Sequence, residues 1–90
     1  MKIYVVETYD CGDYGQTEFH MGTNAFDSKF KAISFARYEA SRMCKHYANA
    51  SFLEAILEYD LTTVTVFKQC KMCPMSMAQR KYVIYSAEVK

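Results

Sequence analysis

An apolar run near the start of the chain has the composition of a β-strand. Residues 2–9 (KIYVVETY) are rich in β-branched and aromatic side chains and predict a first strand. The Gly and Asp spacing of residues 10–15 is typical of a turn. Residues 16–21 can return as a second strand, with residues 22–24 as a bulge or an exit from it. The chain therefore opens with a predicted hairpin.

The next segment has the period of an amphipathic helix. Asp27 or Ser28 offers an oxygen to the free amides of a helix start, and no Gly or Pro interrupts the segment that follows. We expect a helix over residues 28–47. Its apolar stripe should comprise Ile33, Ala36, Ala40, Met43, Cys44 and Tyr47, and its opposite side Lys31, Ser34, Tyr38, Arg42 and Lys45. The helix should rest on an apolar surface and expose a basic back.

A second, shorter helix is predicted after the first. Ser51 and Glu54 have the spacing of a capping box. The helical period continues at the apolar residues Leu53, Ile56 and Leu57. We expect this helix to end near residue 59.

Two strands and a loop complete the predicted fold. Residues 61–68 are rich in Thr, Val and Phe, residues 81–89 alternate in polarity, and residues 70–79 between them form a loop with the only proline. The expected fold is α+β, ββα(α)ββ, with a four-stranded, mainly antiparallel sheet and one long amphipathic helix packed on one face. Residues 1–90 are expected to form a single domain.

Alternation along the last two strands predicts two different faces of the sheet. Val64 and Val66 point to one side, which suits the helix. The outer face should carry Tyr82, Thr63, Thr65 and Phe67. It is half polar and aromatic, and nothing else in the chain is large enough to cover it. It could be ordinary surface, or an interface with a target or with a second copy.

Charge and composition narrow the function classes. The net charge is only +1, which argues against nucleic acid as the main partner and gives no pull towards acidic membranes. Residues 3–28 carry no Lys or Arg, whereas residues 61–87 carry no Asp or Glu. The apolar run at the start of the chain is far too short for a signal peptide or a membrane span. We therefore expect a soluble protein of the cytoplasm, with no membrane partner.

The cysteines and histidines suggest no catalytic centre. Cys70 and Cys73 form a C-x-x-C motif, but a structural zinc site needs four ligands. Cys11, Cys44, His20 and His46 could complete it only if folding gathers them. Reduced cysteines without a metal or other cofactor are the favoured interpretation, and zinc is the alternative. No histidine or carboxylate has a recognisable catalytic partner, which favours a protein that is not an enzyme.

The loop at residues 70–79 is the least ordinary segment. It is rich in Met and flanked by cations, and Met side chains adapt to the contour of a partner. The predicted partner-binding residues are Lys71, Met72, Met75, Met77, Arg80, Lys81, Tyr82 and Phe67. The alternative is that the Met side chains fold back over the core.

Two short segments and one alanine resemble a type of small phage-encoded ββαββ protein. They are Tyr4-Val5-Val6, the segment Ala25-Phe26-Asp27-Ser28-Lys29 at the helix cap, and Ala32 in the helix that follows. The resemblance covers roughly the first 40 residues. It implies the ββαββ architecture and a protein that binds and disables a host protein, as anti-CRISPR and other anti-defence inhibitors do. The predicted second helix and the Cys/Met loop depart from this pattern, and the resemblance carries over no site residue.

The expected function is therefore non-enzymatic protein binding. The partner would be a host protein in the host-cell cytoplasm, and a homodimer is a further expectation. The alternative is a protein that binds a small ligand or nucleotide, or a small enzyme, with a pocket at a dimer seam.

Overall fold

Five strands and one helix make up the described part of the chain. The computed structural model describes residues 1–12, 18–47, 49–57, 61–69 and 76–89. Its elements are β1 (Lys2–Asp10), β2 (Phe19–Phe26), α1 (Lys29–His46), β3 (Ala50–Ile56), β4 (Thr62–Gln69) and β5 (Ser76–Glu88).

The strands form one antiparallel sheet in the order β2-β1-β5-β4-β3. β5 lies at the centre, between β1 and β4, so the two ends of the chain are neighbours. The Val89 amide donates to the Met1 carbonyl at 2.8 Å. Because they stand at the two ends of this order, β2 and β3 are the edges of the sheet.

The predicted α+β class, with a long helix on one face of an antiparallel sheet, is confirmed. The number of strands is wrong, because the predicted second helix is β3. Ala50–Ile56 pairs with β4 along its whole length, from Ala50 opposite Lys68 to Ile56 opposite Thr62. Asn49 precedes it with φ 60°, a left-handed conformation that Asn tolerates and that turns the chain from the helix into the sheet. Pairing with β4 overrides the weak local preference for helix.

Irregular pairing shifts two other strand limits. β2 continues through the predicted exit at residues 22–24, and its pairing slips between Thr8 and Tyr9 of β1, which leaves Met21 as a bulge. β5 begins at Ser76, inside the predicted loop, and its pairing with β4 slips between Val66 and Phe67. The predicted first turn lies largely outside the described residues. At its start, the Gly12 amide donates to Asp10 Oδ1 at 2.8 Å.

Helix α1 begins and packs as its sequence predicts. The Ser28 hydroxyl accepts from the Lys31 amide at 3.1 Å and caps the first turn. The residues buried against the sheet are Ala32, Ala36, Ala40 and Met43. Three of these four belong to the predicted apolar stripe, and the small alanines let the helix approach the sheet closely.

The core lies between α1 and one face of the sheet. The sheet contributes Val6, Val64, Val66, Tyr82 and Ile84, each 0–1% exposed. The prediction that Tyr82 lies on the outer face is therefore wrong. Tyr82 stands opposite Val64 on one side and Thr8 on the other, and directly opposed residues share a face of the sheet. This register depends on long-range pairing, which the alternation within one strand does not reveal.

Candidate functional site

The face of the sheet opposite α1 is the first candidate surface, and we call it the open face. Cross-strand pairs such as Val5 with Tyr85 and Glu7 with Val83 place side chains from several strands on it. Its residues in the three central strands are Ile3, Val5, Glu7, Tyr9, Thr63, Thr65, Phe67, Lys81, Val83, Tyr85 and Ala87. Most of these side chains are half-buried. Their residue types make the open face an apolar and aromatic surface with a polar centre.

Two tyrosines hold a carboxylate at the centre of the open face. The Tyr9 hydroxyl donates to Glu7 Oε2 at 2.8 Å, and the Tyr85 hydroxyl donates to Glu7 Oε1 at 3.1 Å. The His20 and Tyr9 rings pack edge to face, with their centroids 5.4 Å apart. Each carboxylate oxygen has a phenol partner, which fixes both aromatic rings in place.

The electrostatics of this cluster favour contact over proton transfer. The hydrogen bond to Glu7 raises the pKa of Tyr9, with burial adding to the rise. Burial raises the pKa of Tyr85, and its hydrogen bond to Glu7 adds to the rise. The pKa of each phenol therefore lies further from the neutral range in which a general acid or base works best. At neutral pH they remain neutral hydrogen-bond donors on a preorganised aromatic surface.

Of the predicted partner-binding residues, Phe67 and Lys81 lie on the open face. Phe67 is half-buried, and Lys81 Nζ is 3.3 Å from Glu18 Oε1. Arg80 instead lies on the helix face, where its guanidinium is 3.4 Å from Asp10 Oδ2. Met77 is half-buried opposite Lys68. Arg80 and Lys81, the two predicted partner-binding cations that the structure describes, are thus each paired with a carboxylate of the same chain.

Other predicted residues do not join this surface. Tyr82 belongs to the core, and burial raises its pKa, an effect that the positive charge of Arg80 partly offsets. Lys71, Met72 and Met75 lie outside the described residues, so their partner-binding role stays a prediction.

The zinc hypothesis also stays open. Cys70 and Cys73 lie outside the described residues, whereas Cys11 and Cys44 are free thiols. Burial raises the pKa of both described thiols, which keeps them protonated near neutral pH. Across the described ranges, no group of three or more His, Cys, Asp or Glu side chains is arranged to hold a metal ion.

The strand that was predicted as a helix provides a second candidate surface. We call it the β3 edge, and its exposed apolar side chains are Phe52, Leu53, Ile56 and the adjoining Leu57. The helical period in the sequence assigned three of them, Leu53, Ile56 and Leu57, to a predicted second helix. No local signal marked this segment as a strand, and Ala50–Ile56 contains no cation or proline of the kind that protects an edge strand.

A small cavity lies between α1 and the β1–β2 hairpin. Its volume is about 200 Å³, below the range of about 300–1,000 Å³ typical of pockets for drug-sized ligands. The lining residues are Thr8, Met21, Gly22, Asn24, Phe35, Glu39, Arg80 and Tyr82. Polar and apolar side chains line it in about equal measure, with Glu39 and Arg80 close to Phe35, which suits a small polar molecule.

The chain matches no protein-family profile, no curated protein and no solved structure. Over the ranges that the structure describes, no helix has the length and apolar character needed to cross a membrane. Fold and surface together define the class: an α+β protein with one helix on a five-stranded antiparallel sheet, in which no described helix or strand packs on the aromatic face opposite the helix.

Proposed function

We propose that this protein is a non-enzymatic protein-binding module whose partner contacts the open face. One observation carries the proposal: the helix lies on a single side of the sheet, and the other side presents Tyr9 and Tyr85 held by Glu7. Tyrosine is enriched where proteins bind one another, because its ring buries apolar area and its hydroxyl keeps a polar contact.

Preorganisation of the two rings supports affinity. Ordering a side chain on binding costs about 0.5–1.5 kcal/mol, and rings that are already fixed avoid part of that cost. Val83 and Phe67 lie on the same face and add apolar area around the tyrosines. Tyrosine-rich paratopes of antibodies use the same combination of rigid aromatic area and hydrogen bonding.

The kind of partner follows from the resemblance alone. The segments that resemble small phage-encoded proteins favour a host protein as the target and the host-cell cytoplasm as the place of action. The composition of residues 70–79, rich in Met, predicts that this segment adds to the contact surface.

Capture from host lysate tests this proposal with matched tyrosine variants. Tyr85→Ala should abolish capture of a partner that the wild-type protein retains, while Tyr38→Ala should leave capture unchanged. Tyr38 is the control because it is exposed on α1, away from the sheet. Melting temperatures of both variants show that they fold. Equal capture by the two folded variants would remove the open face from the interface.

The small cavity favours small-ligand binding as a second candidate function. Arg80, Glu39 and Asn24 give it polar groups of different kinds beside the apolar Phe35. A thermal-shift screen against nucleotides and metal ions tests this function. A ligand that raises the melting temperature of the wild type, and does so less for Asn24→Leu, would support it. The absence of any shift across the screen would count against it.

A further inference from the structure

The β3 edge differs from the other edge of the sheet in the regularity of its pairing. β2 carries a bulge at Met21, which disturbs the strand and discourages further pairing. β3 pairs with β4 without a bulge; neither edge strand contains a Lys or Arg, and the one charged residue of Ala50–Ile56 is Glu54. That charge already pairs with Arg37 of its own chain, at 2.6 Å. Leu53 and Ile56 are 62% and 71% exposed, on opposite faces of the strand.

The pairing with β4 shows which backbone groups of β3 point outwards. The Leu57 amide donates to the Leu61 carbonyl at 2.9 Å, at the end of the β3–β4 ladder. The Thr63 hydroxyl reaches the Ala55 carbonyl from the same side, at 3.5 Å. Because hydrogen-bonding directions alternate along a strand, Leu53 also turns its backbone groups towards β4. The amides and carbonyls that point outwards belong to residues Ala50, Phe52, Glu54 and Ile56.

We propose that a second copy of this chain pairs with β3 in antiparallel orientation, about a two-fold axis at Leu53. The outward groups of Phe52 then face those of Glu54 in the second copy, and those of Ala50 face Ile56. All outward groups of the strand thereby find partners, and each copy repeats the same contacts, as an isologous dimer requires. This inference is independent of the proposed function, since it concerns the edge of the sheet.

Charge and overlap select this register. With the axis at Leu53 the whole strand overlaps, and the carboxylate of Glu54 lies beside a phenyl ring. An axis at Glu54 would oppose two like charges, which destabilises a sheet. An axis at Phe52 would leave Ile56 beyond the end of the paired strand. The register about Leu53 is therefore the one that the sequence of β3 fits best.

The proposed dimer has a defined shape. Opposed residues of an antiparallel pair share a face, so the two five-stranded sheets would join into one of ten strands with both helices on the same side. The two Leu53 side chains would meet on the open face, at a pair whose Cα atoms are about 4.5 Å apart. The open faces of the two copies would become continuous.

Cysteine cross-linking tests the axis. A Cα separation of about 4.5 Å falls within the range that a disulfide bridges, so Leu53→Cys should form a covalent dimer when a two-electron oxidant such as diamide removes the two thiol protons and electrons. Ile56→Cys is the matched control, because its two copies would be about 20 Å apart. Both variants carry Cys70→Ser and Cys73→Ser. Cross-linking of both, or of neither, would overturn the proposal.

Light scattering of the unmodified protein is the second measurement. We expect a mass of twice the 10.4 kDa chain at a concentration of about 100 μM, and a return to the mass of one chain in Leu53→Lys. Ala25→Lys, at an exposed position on the opposite edge, should remain a dimer. A wild-type protein that stays at the mass of one chain would overturn the proposal, as would a Leu53→Lys variant that is folded and still dimeric.

Discussion

The covered and open faces of the sheet are built by the same strands and differ in burial and in polarity. On the covered face, Val6, Val64 and Ile84 lie under helix α1 with no exposed surface. On the open face, Glu7 and Tyr85 are half-buried and hydrogen-bonded to each other. Successive side chains of a strand point to opposite sides, so one segment supplies both the core and a surface.

The difference shows how stability and binding can occupy separate sides of a small protein. Burial of aliphatic side chains under α1 contributes about 25 cal/mol for each Å² of apolar area removed from water. The open face contributes less to that burial and is therefore free to carry tyrosines and a carboxylate. Substitutions on the two faces should consequently affect different measurements.

The largest expected effect is on the covered face. Ala40→Asp places a carboxylate on the fully buried stripe of α1 and should cost about 3–5 kcal/mol, enough to unfold a domain of marginal stability. Ser41→Asp is the matched control, since Ser41 is exposed one residue further along the same helix. Urea denaturation measures both. Similar midpoints for the two variants would contradict the orientation of α1.

The next effect compares two tyrosines of β5 that lie on opposite faces. Tyr82→Ala removes a buried ring from the core and should cost about 3–5 kcal/mol of unfolding free energy. Tyr85→Ala removes a half-buried ring from the open face and should cost clearly less. The urea midpoints of the two variants measure which substitution is the more destabilising. If Tyr85→Ala proved the more destabilising, the assignment of the two faces would have to be reversed.

The smallest effect is a dependence of stability on alkaline pH. Burial raises the pKa of Tyr82 in the folded state above the ordinary value of 10.0. Below pH 10.0 both states keep the phenolic proton, and this contribution to stability is fully present. As the pH rises above that value the unfolded chain loses the proton first, so the contribution declines and is lost as the pH passes the folded-state pKa.

Urea midpoints measured on both sides of pH 10.0 test this dependence. Tyr82→Phe should show a shallower decline than the wild type, because it has no proton to release at this position. Tyr38→Phe, at an exposed position, is the control and should decline as the wild type does. Identical slopes for all three proteins would contradict a raised pKa at Tyr82.

The elements with strong local signals could be predicted from the sequence. β1 and α1 match their expected limits within one or two residues, because a β-branched run and a capped amphipathic period are properties of the segments themselves. The burial of Ala36, Ala40 and Met43 follows from the same period. The Glu7–Tyr9 contact could also have been anticipated, since residues two apart on a strand share a face.

Long-range strand pairing determined the features that local sequence signals did not predict. The segment from Ala50 to Ile56 has helix-forming residues and a capping pattern, yet it is a strand because β4 offers a complete ladder of partners. Tyr82 lies in the core because the register of β5 against β1 and β4 places its side chain on the covered face. A shift of one residue would have exchanged the faces of that strand.

The amino-acid sequence by itself determined the α+β class, the first strand and the long helix with its buried stripe. The tertiary structure alone decided that a fifth strand exists, which tyrosine is core and which is surface, and that β3 lies at an edge of the sheet. The physical reason is the range of the interactions. Helical periods and caps act within a few residues, whereas register and edge positions are fixed by hydrogen bonds between segments far apart in the chain.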